Sequence, residues 1–221
     1  HTPGFYTTGD NNWFYADSHG RNVTGAQIIN GQHLYFDANG RQVKGGFVMN
    51  TDGSRSFYHW NTGDKLVSTF FTTGHDRWYY ADDKGNVVTG AQVINGQKLF
   101  FATDGKQVKG DFATNANGSR SYYHGATGNK LVSTFFTTGD NNWYYADAKG
   151  ELVVGEQTIN GQNLYFDQTG KQVKGATAAN PDGSISYYDV HTGEKAINRW
   201  VKIPSGQWVY FNAQGKGYVS N

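Results

Sequence analysis

The chain contains no cysteine, which excludes disulfides, thiol chemistry and cysteine metal sites. It also lacks a basic run. Its 19 Lys and Arg are dispersed against 18 Asp and Glu for a net charge of +1, so nothing tracks a phosphate backbone and nucleic acid is excluded as a partner. No apolar stretch approaches the roughly 18 residues of a membrane helix. Leu, Ile and Val are sparse, so a thick central core is hard to assemble from 221 residues that are only 37% hydrophobic. Helical periodicity is missing as well: no apolar series at i, i+3, i+4 survives the 30 glycines. Of the seven histidines only His59 and His124 stand one repeat apart, so neither a histidine base nor a zinc site is suggested, and no cofactor is expected. The sequence starts at His1 with neither an initiator Met nor a signal peptide, and it reads as a piece of a longer protein.

What the chain has in quantity is repetition. GAQIINGQHLYFDANGRQVKG begins at Gly25 and returns as GAQVINGQKLFFATDGKQVKG from Gly90 and GEQTINGQNLYFDQTGKQVKG from Gly155, each step 65 residues. Trp13, Trp78, Trp143 and Trp208 keep the same spacing, as do Ser54, Ser119 and Ser184. Aromatic pairs such as Phe14-Tyr15, Tyr35-Phe36 and Phe57-Tyr58 recur every 21 or 22 residues with a glycine four or five residues behind. Three short modules therefore make one long repeat. Periods of this size are the signature of an array or solenoid. One repeat domain over 1–221 is expected, with repeats at roughly 1–65, 66–130 and 131–195 and a partial one at 196–221.

Turn residues set the local structure. Asn30-Gly31, Asn95-Gly96 and Asn160-Gly161 signal type I′ hairpins, because both central residues need positive φ. The flanks are short and rich in aromatic and β-branched residues. The fold expected is all-β: a β-solenoid of about ten stacked hairpins, three per repeat. A single hairpin is marginal in water, so each must bury its aromatic face on the next. Taking Asp37 to Gly40 as a four-residue turn places Phe36 opposite Arg41 and Tyr35 opposite Gln42. His33, Tyr35, Gln42 and Lys44 then share one face, with Leu34 and Val43 on the other.

A catalytic centre is normally built once per domain, whereas a pattern written three times points to binding. Gln42-Val43-Lys44, Gln107-Val108-Lys109 and Gln172-Val173-Lys174 are unvaried, as are Gln27, Gln92 and Gln157, while adjoining turn residues drift. Aromatic rings suit the C–H face of a sugar, and amides and ammonium groups suit its hydroxyls. Asp17, Asp82 and Asp147 also recur and offer carboxylates for glycoside hydrolysis, but Asp heading a Gly-containing turn is the ordinary turn former. No catalytic residue is assigned.

The string TGAQ-x-INGQ-x-LYFD-x-x-GKQVKG resembles the glucan-binding repeats of glucansucrases, within the wider superfamily of cell-wall and choline-binding repeats. The resemblance covers essentially the whole chain. It implies a secreted or cell-surface, non-catalytic module, monomeric as a piece, that binds α-glucan such as dextran and its isomaltooligosaccharides. The sucrose chemistry would lie in a domain absent from this chain. Carried onto this sequence, the sugar pockets hold Gln27, Tyr35, Gln42 and Lys44; then Gln92, Phe100, Gln107 and Lys109; then Gln157, Tyr165, Gln172 and Lys174. The middle pocket has Phe100 in place of Tyr and is expected to be weaker. Tyr15, Tyr80 and Tyr145 are the reserve stacking rings. Two alternatives stand beside this reading. Choline binding would need an aromatic cage and no nearby lysine, and a plain structural spacer would bind no sugar.

Overall fold

A computed structural model describes residues 1–220. Its described residues form twenty strands and no helix, paired as ten antiparallel two-stranded hairpins. The first repeat shows the three types: β1 (Gly4–Thr7) with β2 (Trp13–Ala16), β3 (Gly25–Ile29) with β4 (Gln32–Phe36), and β5 (Gly46–Met49) with β6 (Arg55–Tyr58). The chain packs as two compact units, His1–Val108 and Lys109–Asn221. Within each, the hairpins stack as a solenoid-like repeat.

The Asn-Gly turns form as expected. Asn30 and Gly31 take φ of 53° and 79°, and Asn95-Gly96 and Asn160-Gly161 repeat those values within a few degrees. Pairing across this turn sets Gln27 opposite Leu34 and Gly25 opposite Phe36, which puts Ile29, Leu34 and Phe36 inward. Ala26, Ile28, His33 and Tyr35 point outward.

The second turn differs from the expected four-residue loop by one residue. Gly40 N donates to Asp37 O, Asp37 N donates to Arg41 O at 2.8 Å, and Gly40 has φ +85°. This is a type I turn followed by a left-handed glycine that adds a bulge residue. Phe36 therefore bridges to Gln42, not Arg41. Because side chains alternate with period two, that slip moves Gln42 to the inner face beside Leu34 and Phe36 and leaves Tyr35 on the outer one. Gln42, Gln107 and Gln172 are each only 7% exposed. The expected grouping of Tyr35 with Gln42 is thus corrected.

Stacking is recorded in backbone bonds between successive hairpins. Gln42 N donates to Trp13 O at 2.7 Å, Lys65 N to His33 O at 2.9 Å, and Val87 N to Arg55 O at 2.8 Å. The core is a chain of small clusters at these junctions. One joins Ile29, Leu34 and Phe36 to Tyr15 and Val23; the next kind joins Phe57, Phe71, Tyr79, Ala81 and Val87 to Phe47 and Leu66. Each fully buried Phe or Leu contributes about 1.5–3 kcal/mol, so a junction holds only a few such increments. Phe36→Ala, at a fully buried ring, is expected to cost about 3–5 kcal/mol. Ser54, Ser119 and Ser184 recur for a structural reason: the amides of Asn50, Asn115 and Asn180 each donate to two serine hydroxyls at about 3.0 Å, closing the third-type turn.

Candidate functional site

Each second-type hairpin places its inner face beside the tryptophan that opens the preceding strand. In the third repeat, Gln172 N donates to Trp143 O at 2.7 Å, which docks the Gln-Val-Lys segment along that strand. The docking carries the Lys174 ammonium over the indole, 5.3 Å from the ring centroid. Phe135, Trp143, Gln162, Leu164, Gln172, Lys174 and Thr192 line the resulting cleft of about 260 Å3. The first repeat has the same core geometry. Lys44 Nζ lies 5.3 Å over Trp13, Gln42 N donates to Trp13 O, and Gln42 Nε2 donates to Thr62 O at 3.4 Å.

A glycine closes the floor in both places. A Cβ added to Gly63 would meet Gln42 Nε2 at 2.2 Å and Lys44 Cγ at 3.5 Å. At Gly193 the same atoms of Gln172 and Lys174 lie at 2.3 and 3.4 Å. Both glycines also have positive φ, +74° and +76°. Thr-Gly thus lets the amide and the lysine stem lie flat against the turn. In the middle repeat, Gln107 N donates to Trp78 O at 2.7 Å and Gln107 is equally buried; Lys109 opens the second compact unit.

The remaining sequence candidates sit elsewhere. Gln27, Gln92 and Gln157 each donate Nε2 to a backbone carbonyl three residues earlier, at 2.8 Å, and so tie down the loop entering the strand. Tyr35 and Tyr165, on the outward face, lie against Tyr58 and Tyr188 with centroids 5.9 and 5.5 Å apart. Phe100 is their half-buried equivalent. Tyr15, Tyr80 and Tyr145 pack edge-on against Phe5, Phe70 and Phe135 at 4.7–4.8 Å, under the next hairpin. The cleft therefore joins Gln172 and Lys174 to partners not singled out from sequence: Trp143, Phe135, Gln162 and Thr192. A signal for them existed, since each recurs at 65 residues, in the tryptophan series, in Asn-Gly-Gln and in Thr-Gly.

The repeated aspartates are accounted for by turns. Asp17 Oδ1 accepts from His19 N and Arg21 N, and Asp82 and Asp147 accept from the equivalent amides at 2.8–2.9 Å. The Arg21 amide foremost holds the Asp17 carboxyl below the usual range. Among the described residues no group of three His, Cys, Asp or Glu could hold a metal. The cleft offers an aromatic wall, amide groups, a hydroxyl and one ammonium, a set suited to a neutral, hydroxyl-rich ligand.

The choline-binding repeat pattern matches residues 23–70, 88–135 and 153–200, and a cell wall binding repeat pattern matches 68–87, 133–152 and 198–216. Among curated proteins, glucosyltransferase-S of Streptococcus mutans is 39% identical over 92% of this chain, and glucosyltransferase-I of the same species is 45% identical over 86%. The chain spans only 14% and 13% of their respective lengths. Among solved structures, choline binding protein F of Streptococcus pneumoniae, in the presence of a peptidoglycan analogue, aligns over 99% of both chains with TM-score 0.60 at 16% identity. The choline-binding domain of CbpL from the same species aligns over 90% of this chain and 99% of its own, with TM-score 0.59 at 19% identity. These two likenesses concern the fold.

Proposed function

Since the chain belongs to the choline-binding repeat family, we propose that within that family it is a carbohydrate-binding module, one that holds α-glucan, and α-1,6-linked dextran in particular. The observation that carries the reading is the lysine lying over the tryptophan in the first and third repeats. A quaternary ammonium seated on that indole gains about 0.5–2 kcal/mol of cation–π attraction. It would have to share that indole with a lysine ammonium, a like charge that opposes the gain. These clefts therefore suit choline poorly. A sugar meets no such penalty and takes hydrogen bonds from the same ammonium.

In this reading Gln42 and Lys44, Gln107 and Lys109, and Gln172 and Lys174 address hydroxyls. Trp13, Trp78 and Trp143 supply the stacking surface, in place of Tyr35, Phe100 and Tyr165. Binding is the chain's whole role here. It anchors a glucosyltransferase to its product at or outside the cell surface, and transfer chemistry belongs to parts of such proteins beyond these residues. The match to glucosyltransferases at 39% and 45% identity supports that setting.

Affinity electrophoresis tests it directly. The chain is expected to be retarded in gels containing dextran and to run freely in gels containing a β-linked glucan. Equal mobility in both would favour a structural spacer. Retardation by immobilised choline but not by dextran would reverse the ligand assignment.

A further inference from the structure

A second cavity stands apart from the tryptophan cleft. It lies on the other face of the same third-repeat hairpin, about 720 Å3, within the size range of small-molecule sites. Glu156 and Tyr165 are cross-strand partners on the outward face of that hairpin and form one wall. Pro181, Asp182 and Lys216 form the other.

The charges in and around this cavity compensate one another. Lys216 Nζ lies 2.7 Å from Asp182 Oδ2, while Asp182 Oδ1 accepts from Ser184 N and Oγ. Lys195 Nζ lies 3.4 Å from Glu156 Oε1. An ionic ligand would have to displace one partner of a pair. A neutral ligand instead finds spare carboxylate lone pairs and ammonium N–H groups, beside a tyrosine ring and a proline. Paired donors and acceptors next to an aromatic face are the complement of a pyranose ring.

This arrangement occurs once. The positions equivalent to Glu156 are Ala26 and Ala91, and those equivalent to Lys216 are Asn86 and Glu151. In the first two repeats that last position also ties to the third-type turn, through Ser54 and Ser119. The tie is therefore structural. What is particular to the third repeat is that an ammonium makes it, with donors left over, opposite a new carboxylate.

We propose that this cavity is a second glycosyl-binding site, confined to the third repeat and independent of the tryptophan clefts. Its hairpin then presents a sugar site on each face. The ligand class follows that of the proposed function, but the site shares no residue with the Trp143 cleft.

The test is a titration of isotope-labelled full chain with isomaltotriose, followed by residue-resolved NMR. Two groups of saturable shifts are expected: the Trp143 indole with Gln172 and Lys174, and the amides of Glu156, Tyr165 and Asp182. The double variant Glu156→Ala, Lys216→Asn installs the residues of the first repeat, so the fold should tolerate it. It is expected to weaken the second group at least tenfold and leave the first unchanged. Shifts of the second group that are absent in the parent, or that persist unaltered in the variant, would overturn the proposal. A silent Trp143 group with an intact second group would instead refute the tryptophan cleft.

Discussion

Replacing Gly63 and Gly193 together by alanine separates the geometry of the tryptophan clefts from their mere presence. Each new Cβ would lie 2.2–2.3 Å from the side-chain nitrogen of Gln42 or Gln172, so the amide must swing out of the cleft. Each alanine must also hold a left-handed backbone, at about 1–2 kcal/mol. Losing the amide's hydrogen bond in the proposed complex costs a further 0.5–1.5 kcal/mol, roughly a two- to thirteenfold drop in affinity per cleft. Gly53 and Gly183 provide the control. They sit at φ +88° with nothing within 4 Å of an added Cβ, so Gly53→Ala with Gly183→Ala imposes similar strain without the clash. Both double variants should lose similar melting temperature, but only the Gly63/Gly193 pair should lose isomaltotriose affinity by calorimetry. Adding Gln172→Ala to Gly193→Ala should then change little, because the amide is already displaced. Equal affinity in the two glycine pairs would show that the glutamine amides do not touch sugar.

Further expectations follow from the same structure. Long dextran should bind about 10² times tighter than isomaltotriose, since a second cleft is engaged intramolecularly; Gln42→Ala with Lys44→Ala should remove part of that gain, and repeating it at Gln172 and Lys174 most of it. Binding should change little between low and moderate salt, because stacking and hydrogen bonds to a neutral ligand are not screened; a steep loss in the same calorimetric series would contradict the model of the site. Burial first, then the Glu156 carboxylate, raises the Tyr188 hydroxyl above its ordinary value of 10.0. The folded state therefore holds that proton more tightly than the unfolded chain. The resulting stability is complete below about pH 10 and is lost as pH rises toward the folded value, roughly 1 kcal/mol by pH 11. Thermal melts of Tyr188→Phe should fall less between pH 9 and 11 than those of the parent.

The hairpins were legible because their determinants are local. Asn30-Gly31 needs only two residues to declare a type I′ turn, and alternation in Leu34, Tyr35 and Phe36 does the rest. The junction after Phe36 was not legible to one residue. Asp37-Ala38-Asn39-Gly40 fits both a four-residue loop and a type I turn with a bulge, and only the latter closes Asp37 N on Arg41 O. That single residue decides which face Gln42 joins. The polar half of the cleft could be picked out because Gln-Val-Lys is unvaried among the copies. Its ring recurs in the tryptophan series, but nothing local ties it to the glutamine, since Trp13 lies 29 residues before Gln42 and reaches it only through stacking of separate hairpins.

The way the cleft is held explains how one segment can be both structural and available for binding. The stack is secured by the backbone of Gln172, whose N–H bonds Trp143 O at 2.7 Å, and not by its side chain. In the first repeat the equivalent amide reaches Thr62 O only at 3.4 Å, near the limit of a hydrogen bond. Turning that N–H to a sugar hydroxyl therefore gives up little. The lysine is positioned in the same way, its stem resting on Gly63 or Gly193 and its charge over the indole. Ring, amide and ammonium are thus set in place by the inter-hairpin bonds that form the repeat, before any ligand arrives. Little rotamer freedom remains to be lost on binding, where each immobilised side chain would otherwise cost about 0.5–1.5 kcal/mol. On the proposed reading, this is what lets a shallow cleft hold a sugar, with repetition of the hairpin supplying the rest.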